Sequence, residues 1–522
     1  MQQIYSENKI FIKLSDGLVQ PFHTTVGVKQ GCVFSPILFN LFIDKICSIF
    51  DESCDPVQLH NQDVNCLLWA DDLLLLSKTA AGLQNSINKM EQFYRSIGLD
   101  VNIKKTKVMI MNKRGLILDK KYQFTLNGSN LEITNEYQYL GIKLRPSGSF
   151  TLATQELHDK ASRAWFGISN IVFKNKRMPV DRIFNLFDSL VTPIATYCST
   201  LWLPFIVPMK CFENSQMFMD FWEKFKCETL NQKCAKMTLS VHKKTPRLAV
   251  LGELGRFPLF LQSLALCLNY KLSLYARKNN NMMIGNALHE MEILTKKSSD
   301  NWLGRMEKLE NIFKIPKNIF FNQSSGKRIL KNLKSKFEIH FLNKINEFRQ
   351  SERDNQDHNK LRTYRTFKSS FTREPYLDLV RNRNQRCFLS RLRVGSHNLQ
   401  IELGRHTRPA TPIHQRYCKF CPPRSSPTCP TSTPTTTRSL PTAEPAVDTE
   451  FHFLIQCPMF QPERNLLFDR LTQLNLNFSN LTLADKFKVM LCPTSAVTTK
   501  LIHRFIKQMF ASRGKYAEKY NI

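Results

Sequence analysis

The sequence has 522 residues, of which 42% are hydrophobic, and this length predicts roughly two to four domains with buried cores. Lysine and arginine outnumber aspartate and glutamate by 74 to 43, so the formal net charge is +31. Such an excess favours polyanionic partners, because most non-specific affinity for nucleic acid comes from neutralised phosphates. The 15 cysteines stand singly apart from one cluster near the C-terminus, which argues against a disulfide framework and indicates reduced thiols.

The start of the chain, Met1–Glu7, lacks the pattern of a signal peptide, and no apolar run reaches membrane-spanning length. Together with reduced thiols, these features predict an intracellular protein, nuclear or cytoplasmic, without a membrane partner.

The first thirty residues predict a pair of strands. Residues 10–14 and 19–22 have strand composition, and a turn at Ser15, Asp16 and Gly17 joins them. We interpret Asp16 as a turn residue.

A glycine-bracketed polar loop follows, from Gly27 to Gly31. Ser35 and Pro36 then open an apolar helix, because proline is favoured in the first helical turn. Gly31 has no side chain, so the backbone of this loop can approach a nucleotide closely.

The stretch from Cys66 to Ser77 contains two short apolar runs around Asp71 and Asp72. This pattern predicts a buried β-hairpin whose tight turn holds both carboxylates at its tip. Carboxylates placed in this way can bind Mg²⁺, a hard cation that prefers oxygen ligands. The alternative is that aspartate is simply a common turn residue.

The next elements alternate between helix and strand. Apolar residues recur at helical spacing from Leu83 to Ile97, and Gly98 ends this amphipathic helix. Residues 108–111 and 124–128 predict strands, with a turn at Asn127-Gly128.

Four blocks, at residues 27–43, 66–77, 98–107 and 137–141, follow one another in an order that resembles the second half of a reverse-transcriptase palm from non-LTR (LINE-type) retrotransposons. The resemblance covers roughly residues 1–145, an α+β domain, and four spaced motifs carry it. It implies RNA-directed DNA polymerisation with two Mg²⁺ ions.

The resemblance also implies roles for single residues. Asp71 matches the metal-binding aspartate of the family and Asp72 its partner, while Trp69 stands where the family has tyrosine or phenylalanine. Lys105 matches a lysine near the departing pyrophosphate, although a solvated lysine within a charge run is the alternative. The residues that match the block positioning template and incoming nucleotide are Gln30, Gly31, Ser35 and Pro36.

The partners implied are an RNA template, a DNA primer or target and deoxynucleotides. In complete members of the family, fingers and a strand with another catalytic aspartate precede these blocks, and a full-length element also carries an endonuclease domain. A two-metal site needs carboxylates that clamp ions about 4 Å apart. We therefore expect this chain alone to be impaired as a polymerase.

From about residue 150 the pattern becomes helical. One apolar stripe comprises Leu157, Ala161, Ala164, Ile168 and Ile171, and another helix starts near Pro179. Their position after the palm predicts a helical thumb at 150–210, followed by a helical connector at 211–375. We interpret the connector's basic residues, Lys327, Arg328, Lys331, Lys334 and Lys336, as a solvated surface.

Residues 376–417 form a basic segment rich in arginine. Arginine binds phosphates with two hydrogen bonds and aromatic side chains such as Phe388 can stack on bases, so we predict a nucleic-acid contact. A merely solvated basic surface is the alternative. The arginines are Arg381, Arg383, Arg386, Arg391, Arg393, Arg405, Arg408 and Arg416.

Four candidate metal ligands follow at 418–460: Cys418, Cys421, His452 and Cys457. Three thiolates and an imidazole form the closed ligand set of structural Zn²⁺, and the segment resembles the zinc-binding tail of LINE-type proteins. A Pro/Ser/Thr-rich insert at 422–449 separates the two pairs and includes Cys429, a competing ligand. The alternative is three structural thiols and an unrelated imidazole. A helical tail is predicted at 461–522.

The sequence thus predicts a partial α+β palm, a mostly helical thumb and connector, and a small zinc-binding tail. The function that the resemblance implies is part of a reverse transcriptase. A non-catalytic nucleic-acid-binding remnant and a host-adopted interaction protein are the alternatives.

Overall fold

The computed structural model divides the chain into two units. Unit 1 comprises Met1–Ser149 and Leu274–Asn301, and unit 2 comprises Phe150–Ser273 and Trp302–Ile522. The α+β class is confirmed, since the strands lie in unit 1 and most helices lie beyond it. The residues that the structure describes are 8–24, 27–112, 122–297, 300–315, 325–350, 361–421, 446–474 and 477–520.

The strands of unit 1 form short two-stranded ladders. All are antiparallel except one, in which Glu132–Ile133 runs parallel to Lys107–Val108. The antiparallel pairs are Asn8–Ile10 with Phe22–Thr24, Lys13–Leu14 with Gly17–Leu18, Val57–Leu59 with Gln62–Val64, Cys66–Trp69 with Asp72–Leu75, Thr125–Leu126 with Ser129–Asn130, and Tyr137–Tyr139 with Ile142–Leu144.

The predicted turns fall where the sequence placed them, but the strands are shorter. The N-terminal hairpin turns at Ser15 and Asp16, as predicted, while its strands break between Ile10 and Lys13. The turn at Asn127-Gly128 is confirmed, and both residues adopt positive φ (51° and 69°), as a two-residue hairpin turn requires. The strand predicted at 108–111 is reduced to Lys107–Val108.

The amphipathic helix of unit 1 is confirmed at Ala80–Ser96. The Thr79 hydroxyl caps it by accepting a hydrogen bond from the Gly82 amide at 3.0 Å, and Gly98 follows its end at φ 72°. Its buried stripe packs with Ile43 and Ile46 in the core of the unit. Other helical elements of unit 1 are the helix Ser35–Ile43, the 3₁₀ segments Asp44–Ser48 and Glu52–Cys54, and the helix Met282–Lys296.

The remaining described elements are helical. The α-helices are Thr151–Lys174, Val180–Leu190, Thr192–Ala195, Ser199–Ile206, Ser215–Lys224, Lys226–Leu239, Arg247–Leu254, Leu259–Arg277, Trp302–Ile312, Ser325–Gln350, Tyr364–Phe367, Tyr376–Leu379, Cys387–Arg393, Gln400–Leu403, Gln461–Leu474, Leu483–Leu491 and Ala496–Tyr520. Short 3₁₀ or π segments occupy Met209–Phe212, Arg383–Gln385, Ile413–Gln415, His452–Gln456 and Pro458–Phe460.

The apolar stripe predicted for Thr151–Lys174 is correct at its start and wrong at its end. Leu157 and Ala161 are buried, but Ile171 is 70% exposed, and Trp165 and Val172 line the core instead. A helix repeats every 3.6 residues, so the buried face advances through positions 161, 165 and 172 and leaves 171 on the solvent side.

The basic residues of the connector are only partly solvated. Lys327, Arg328 and Lys331 are exposed, as expected. Lys334 instead lies over the Phe257 ring at 5.0 Å, and Lys336 donates to the Lys314 carbonyl at 2.9 Å.

A helix that spans a membrane must be long and apolar. Within the ranges described above, no single helix is long and apolar enough to cross a membrane. The helices Arg247–Leu254 and Leu259–Arg277 reach that length and composition only when they are taken together across a 75° bend.

The arginine-rich segment corrects the sequence interpretation. Only Arg381 and Arg408 of its eight predicted arginines are exposed. Arg386, Arg393 and Arg416 are at most 4% exposed, so they neither reach phosphates nor form a solvated surface. The intermediate arginines are also occupied: Arg383 lies over the Phe173 ring, Arg391 donates to the Ser240 carbonyl, and Arg405 pairs with Glu402.

The buried arginines satisfy carbonyl and carboxylate groups inside unit 2. One Arg386 nitrogen donates to the carbonyls of Val380 and Arg381 at 2.8 and 2.9 Å. The Arg416 guanidinium donates to the Thr411 and Ile401 carbonyls at 2.8 and 2.9 Å. These bonds fix the irregular turns between the short helices.

Arg393 is the most enclosed of the set. Its side chain and that of Glu253 have no exposure, and their Nε and Oε1 atoms lie 2.5 Å apart. Glu374 contributes a second carboxylate at 2.6 Å, and the Tyr376 hydroxyl donates to Glu253 at 2.7 Å. Burial disfavours the charged guanidinium, but the two carboxylates outweigh it and hold the pKa of Arg393 well above its ordinary value.

We expect Arg393→Met to destabilise unit 2 strongly. Removing one partner of a buried ion pair leaves an uncompensated charge on Glu253, which costs about 3–5 kcal/mol. The measurement is the thermal unfolding midpoint, with Arg381→Met as the exposed control, for which a change within about 0.5 kcal/mol is expected. Equal midpoints for the two variants would contradict the structural role of Arg393.

Candidate functional sites

The hairpin that carries the paired aspartates has a two-residue turn. Cys66–Trp69 pairs with Asp72–Leu75, and Trp69 lies opposite Asp72, so Ala70 and Asp71 form the turn. Ala70 adopts φ 52°, a left-handed conformation that costs an L-residue about 1–2 kcal/mol. Such strain persists where surrounding structure imposes it, and it occurs most often at functional positions.

The hairpin tip faces solvent. Trp69 is 66% exposed, and Asp71 and Asp72 are exposed as well. The flanking strand residues are half-buried rather than buried, which corrects the prediction. The reason is that the hairpin forms a two-stranded sheet, so one face and both edges lack a neighbouring strand in the described structure.

The two carboxylates suit a divalent cation that shares its ligands with water or phosphate. Mg²⁺ is commonly held by one or two carboxylates while the remaining positions stay open to substrate. Across the described ranges, no third His, Cys, Asp or Glu side chain joins Asp71 and Asp72 in a cluster able to hold a metal. Among the described residues, the tip therefore presents two exposed carboxylates without a third acidic neighbour.

The glycine-bracketed loop has the backbone that its sequence predicted. Gly27 and Gly31 adopt φ 90° and 83°, conformations that favour glycine, and Gln30 and Gly31 are exposed. Ser35 is buried, and its hydroxyl donates to the Lys29 carbonyl at 2.7 Å. Ser35 thus closes the loop, while Pro36 occupies the first turn of the helix Ser35–Ile43.

The lysine block is a turn held by Asn102. The Lys105 amide donates to the Asn102 side chain at 3.1 Å, and the lysine side chain is exposed. The Tyr137 hydroxyl donates to the Lys105 carbonyl at 3.4 Å. In the same hairpin, burial and the nearby Asp72 carboxylate raise the pKa of Tyr139. Phe39 and Ile43 of the first block pack in the same core as Leu68, so the fold brings together all four sequence blocks.

The four predicted zinc ligands converge in unit 2. The Sγ atoms of Cys418, Cys421 and Cys457 and a ring nitrogen of His452 all lie within 4.8 Å of one another. Cys421 Sγ is 3.5 Å from both His452 Nε2 and Cys457 Sγ. Tetrahedral zinc with sulfur bonds of about 2.3 Å places its sulfurs about 3.8 Å apart, so the donor set fits Zn²⁺.

Local backbone geometry explains the convergence. The Cys421 amide donates to the Cys418 carbonyl at 3.3 Å, which closes a tight turn. His452–Gln456 is a π-helical turn, and the Cys457 amide donates to the His452 carbonyl at 2.7 Å. This bond joins residues five apart, so it brings the second ligand pair side by side.

Two buried arginines brace the cluster, and sequence reasoning missed both. Arg513 pairs with Asp448 through two bonds of 2.7 and 2.9 Å and donates to Cys418 Sγ at 3.5 Å. Arg464 donates to the Cys457 carbonyl at 2.7 Å. No local motif marks them, because Arg513 lies 95 residues from Cys418 in the sequence.

The thiols of the cluster influence one another. Hydrogen bonds from Cys418 and Cys421 lower the pKa of the Cys457 thiol to about 3. The contacts with Cys418 and Cys457 raise the pKa of the Cys421 thiol, so a metal that binds here would have to displace a proton from Cys421.

The chain segments on either side of the insert pair with each other through backbone hydrogen bonds. The Cys418 amide donates to the Ala446 carbonyl at 2.9 Å, and Tyr417 forms a β-bridge with Val447. Residues 422–445 of the predicted insert, including Cys429, lie outside the described residues. The ligand pairs are thus joined by backbone bonds as well as by their side chains.

Comparison with known proteins bears on the first unit. Residues 2–144 match the model of the family "Reverse transcriptase (RNA-dependent DNA polymerase)". The chain is 32% identical over 128 residues to the Pol polyprotein of the type-2 retrotransposable element R2DM of Drosophila melanogaster, covering 23% of this chain and 12% of that protein. It is 30% identical over 125 residues to the R2 element polyprotein of Nasonia vitripennis, covering 22% and 12%.

A third relative is a putative transposon-derived protein of Caenorhabditis elegans, 26% identical over 154 residues, with 28% of this chain and 51% of the relative covered. The matched segments thus span only 12% of each R2 polyprotein. Residues 2–144 form a reverse-transcriptase segment of the non-LTR retrotransposon type.

Proposed function

We propose that the chain is part of an RNA-directed DNA polymerase in which the hairpin tip holds the catalytic metal. The observation that carries this proposal is the exposed pair Asp71 and Asp72 on a strained two-residue turn, inside the segment that matches the family. Bound Mg²⁺ would supply activation of the primer hydroxyl and charge stabilisation at the leaving pyrophosphate. The partners proposed are an RNA template, a DNA primer or target and deoxynucleotides.

The neighbouring residues have distinct tasks in this proposal. Gln30 and Gly31 are exposed, and the backbone at Gly31, which has no side chain, can contact the template and the nucleotide. The hydrogen bond from the Ser35 hydroxyl to the Lys29 carbonyl stabilises this loop. The exposed Lys105 ammonium is available to a departing phosphate. Trp69 offers a broad aromatic face beside the two carboxylates, suited to contact with the primer end.

A second candidate function is nucleic-acid binding without catalysis. The specific observation in its favour is that the described structure places no third carboxylate beside Asp71 and Asp72. A two-metal mechanism needs carboxylates that clamp both ions. Primer extension on an RNA template that Asp71→Asn abolishes would exclude the second candidate, because binding alone incorporates no nucleotide.

The domain roles are proposed on the same basis. Residues 1–145 act as a palm segment and the helices of 150–210 as a thumb that contacts the primer–template duplex. Residues 211–375 act as a helical connector, and 376–417 and 461–522 frame the metal-binding segment 418–460.

We expect Asp71→Asn to weaken divalent-metal binding at the hairpin. Loss of a carboxylate removes a charged oxygen ligand, and a fall of about tenfold or more in Mn²⁺ affinity is expected, measured by water-proton relaxation. Asp16→Asn is the matched control, because Asp16 occupies the same second turn position in the hairpin Lys13–Leu18. Equal Mn²⁺ affinity of the wild type and Asp71→Asn would contradict the metal assignment.

We expect non-specific binding to single-stranded RNA and DNA that weakens steeply with salt, because the +31 charge acts by counterion release. The double variant Arg381→Glu/Arg408→Glu should flatten the slope of log affinity against log salt by roughly 0.7–0.9 for each lost phosphate contact. Lys210→Glu/Lys500→Glu makes the same charge change on exposed residues elsewhere.

Fluorescence anisotropy at several salt concentrations measures both variants. Equal slopes for the two would assign the binding to overall charge rather than to the arginine-rich segment. An affinity that does not change with salt concentration would contradict the electrostatic account altogether.

We propose that Cys418, Cys421, His452 and Cys457 hold one structural Zn²⁺. Cys418→Ser and Cys457→Ser should each release the metal and expose the described residues 446–460 to protease, whereas Cys429→Ser should keep the metal and the protease resistance of those residues. Metal content by mass spectrometry and limited proteolysis check this. Wild-type protein without stoichiometric zinc, or a metal-loaded Cys457→Ser, would contradict the assignment.

The effect of zinc loss should remain local. Phe453, Cys457, Ile506 and Met509 belong to the same apolar cluster as Leu392, so the tail is also held by apolar packing. We therefore expect the helix Ala496–Tyr520 to stay folded without metal, in contrast to small zinc modules that unfold.

A further inference from the structure

Two thiols meet at the base of the aspartate hairpin. Cys47 lies in the 3₁₀ segment Asp44–Ser48, and Cys66 is the first residue of the strand Cys66–Trp69. Their Sγ atoms are 3.9 Å apart, and both cysteines are reduced. Neither the metal-binding tip nor the zinc cluster uses this pair.

The distance permits a disulfide. A disulfide bond is about 2.05 Å long, so the sulfur atoms would need to approach by roughly 1.9 Å, within the swing of a cysteine sulfur about its Cα–Cβ bond. Both segments pack on the helix Ala80–Ser96, with Ile46 fully buried and Leu68 against the same core. The shared core keeps the two thiols together, so their encounter needs no unfolding.

The two thiols differ in access. Cys47 is exposed, whereas Cys66 is half-buried. Burial, and then the proximity of Cys47, raise the pKa of the Cys66 thiol to about 12. A dissolved oxidant therefore meets Cys47 first, and Cys66 is placed to react afterwards.

We propose that Cys47 and Cys66 form a redox-modification site that accepts a low-molecular-weight disulfide, such as oxidised glutathione, and closes to an internal disulfide. In the first step, the Cys47 thiolate attacks one glutathione sulfur, forms a mixed disulfide and releases one glutathione thiolate. In the second, Cys66 loses its proton, its thiolate attacks Cys47 Sγ, and the second glutathione leaves as thiolate. The two protein thiols are oxidised, two glutathiones are produced, and the released thiolates take up the two protons.

The disulfide would tie together two of the sequence blocks. The segment Asp44–Ser48 continues directly from the helix Ser35–Ile43, and the strand that starts at Cys66 ends beside Asp71 and Asp72. Oxidation therefore links the segment after the helix covalently to the base of the hairpin, and this link restrains opening of the hairpin. The consequence for the metal-binding tip rests on the proposed function, whereas formation of the disulfide does not.

The test uses the zinc-loaded full chain treated with oxidised glutathione. Peptide mapping should find a Cys47–Cys66 cross-link and a mass decrease of about 2 Da, reversed by dithiothreitol. Cys66→Ser should stop at a mixed disulfide with one glutathione on Cys47, and in Cys47→Ser the reaction at Cys66 should be at least about tenfold slower. Cys54→Ala is the matched control in the same unit, and it should oxidise like the wild type.

Hydrogen exchange provides the second readout. In the oxidised wild type, amides of residues 66–75 should exchange more slowly than in the reduced protein, and the two serine variants should show no such change. Cys47 and Cys66 remaining free under conditions that oxidise other thiols would overturn the proposal. Cross-linking with unchanged exchange would overturn the restraint on the hairpin, whatever the outcome of polymerase assays.

Discussion

Arg393 and Glu253 have no contact with solvent, and their pairing is the constraint on which unit 2 depends. A charge inside a protein is tolerated only when its partner and remaining hydrogen bonds are present. Arg393 comes from the helix Cys387–Arg393 and Glu253 from Arg247–Leu254, and the guanidinium also donates to the Leu491 carbonyl. Three separated parts of the chain must therefore assemble together before this charge is stable.

The aspartate hairpin depends on contacts between residues close in the sequence, whereas the cysteine–histidine cluster also depends on contacts between residues far apart in the sequence. The aspartate hairpin is local: Asp71 and Asp72 are presented by a turn between adjacent strands, and the strain at Ala70 is supported by ladder bonds on both sides. The cysteine–histidine cluster also depends on distant contacts, because Arg513, which pairs with Asp448, donates to Cys418 Sγ from another segment of the chain. Changes in the helix Ala496–Tyr520 can thus reach Cys418 through Arg513.

These ranges also explain what the sequence could predict. The turns at Asp16, Asn127 and Asp71 and the convergence of Cys418, Cys421, His452 and Cys457 follow from spacing and turn chemistry, so one sequence suffices to find them. The arginine-rich segment misled the prediction, because charge density does not reveal burial: Arg386 and Arg416 satisfy carbonyls of irregular turns that become apparent only in three dimensions. Sequence patterns likewise did not identify Arg464 and Arg513, which are buried. They also placed Ile171 rather than Val172 on the buried face of the helix Thr151–Lys174. Local patterns specify local sites, whereas buried charges are specified by tertiary contacts.

The paired ends of the insert have a practical consequence for engineering. Because Tyr417 bridges Val447 and the Cys418 amide bonds to Ala446, the chain positions on either side of the insert lie next to each other. Closing a longer flexible loop across these points would cost only about 0.6 kcal/mol for each doubling of its length. A fluorescent or affinity domain inserted between Cys421 and Ala446 would therefore have both of its linkers anchored at this backbone pairing.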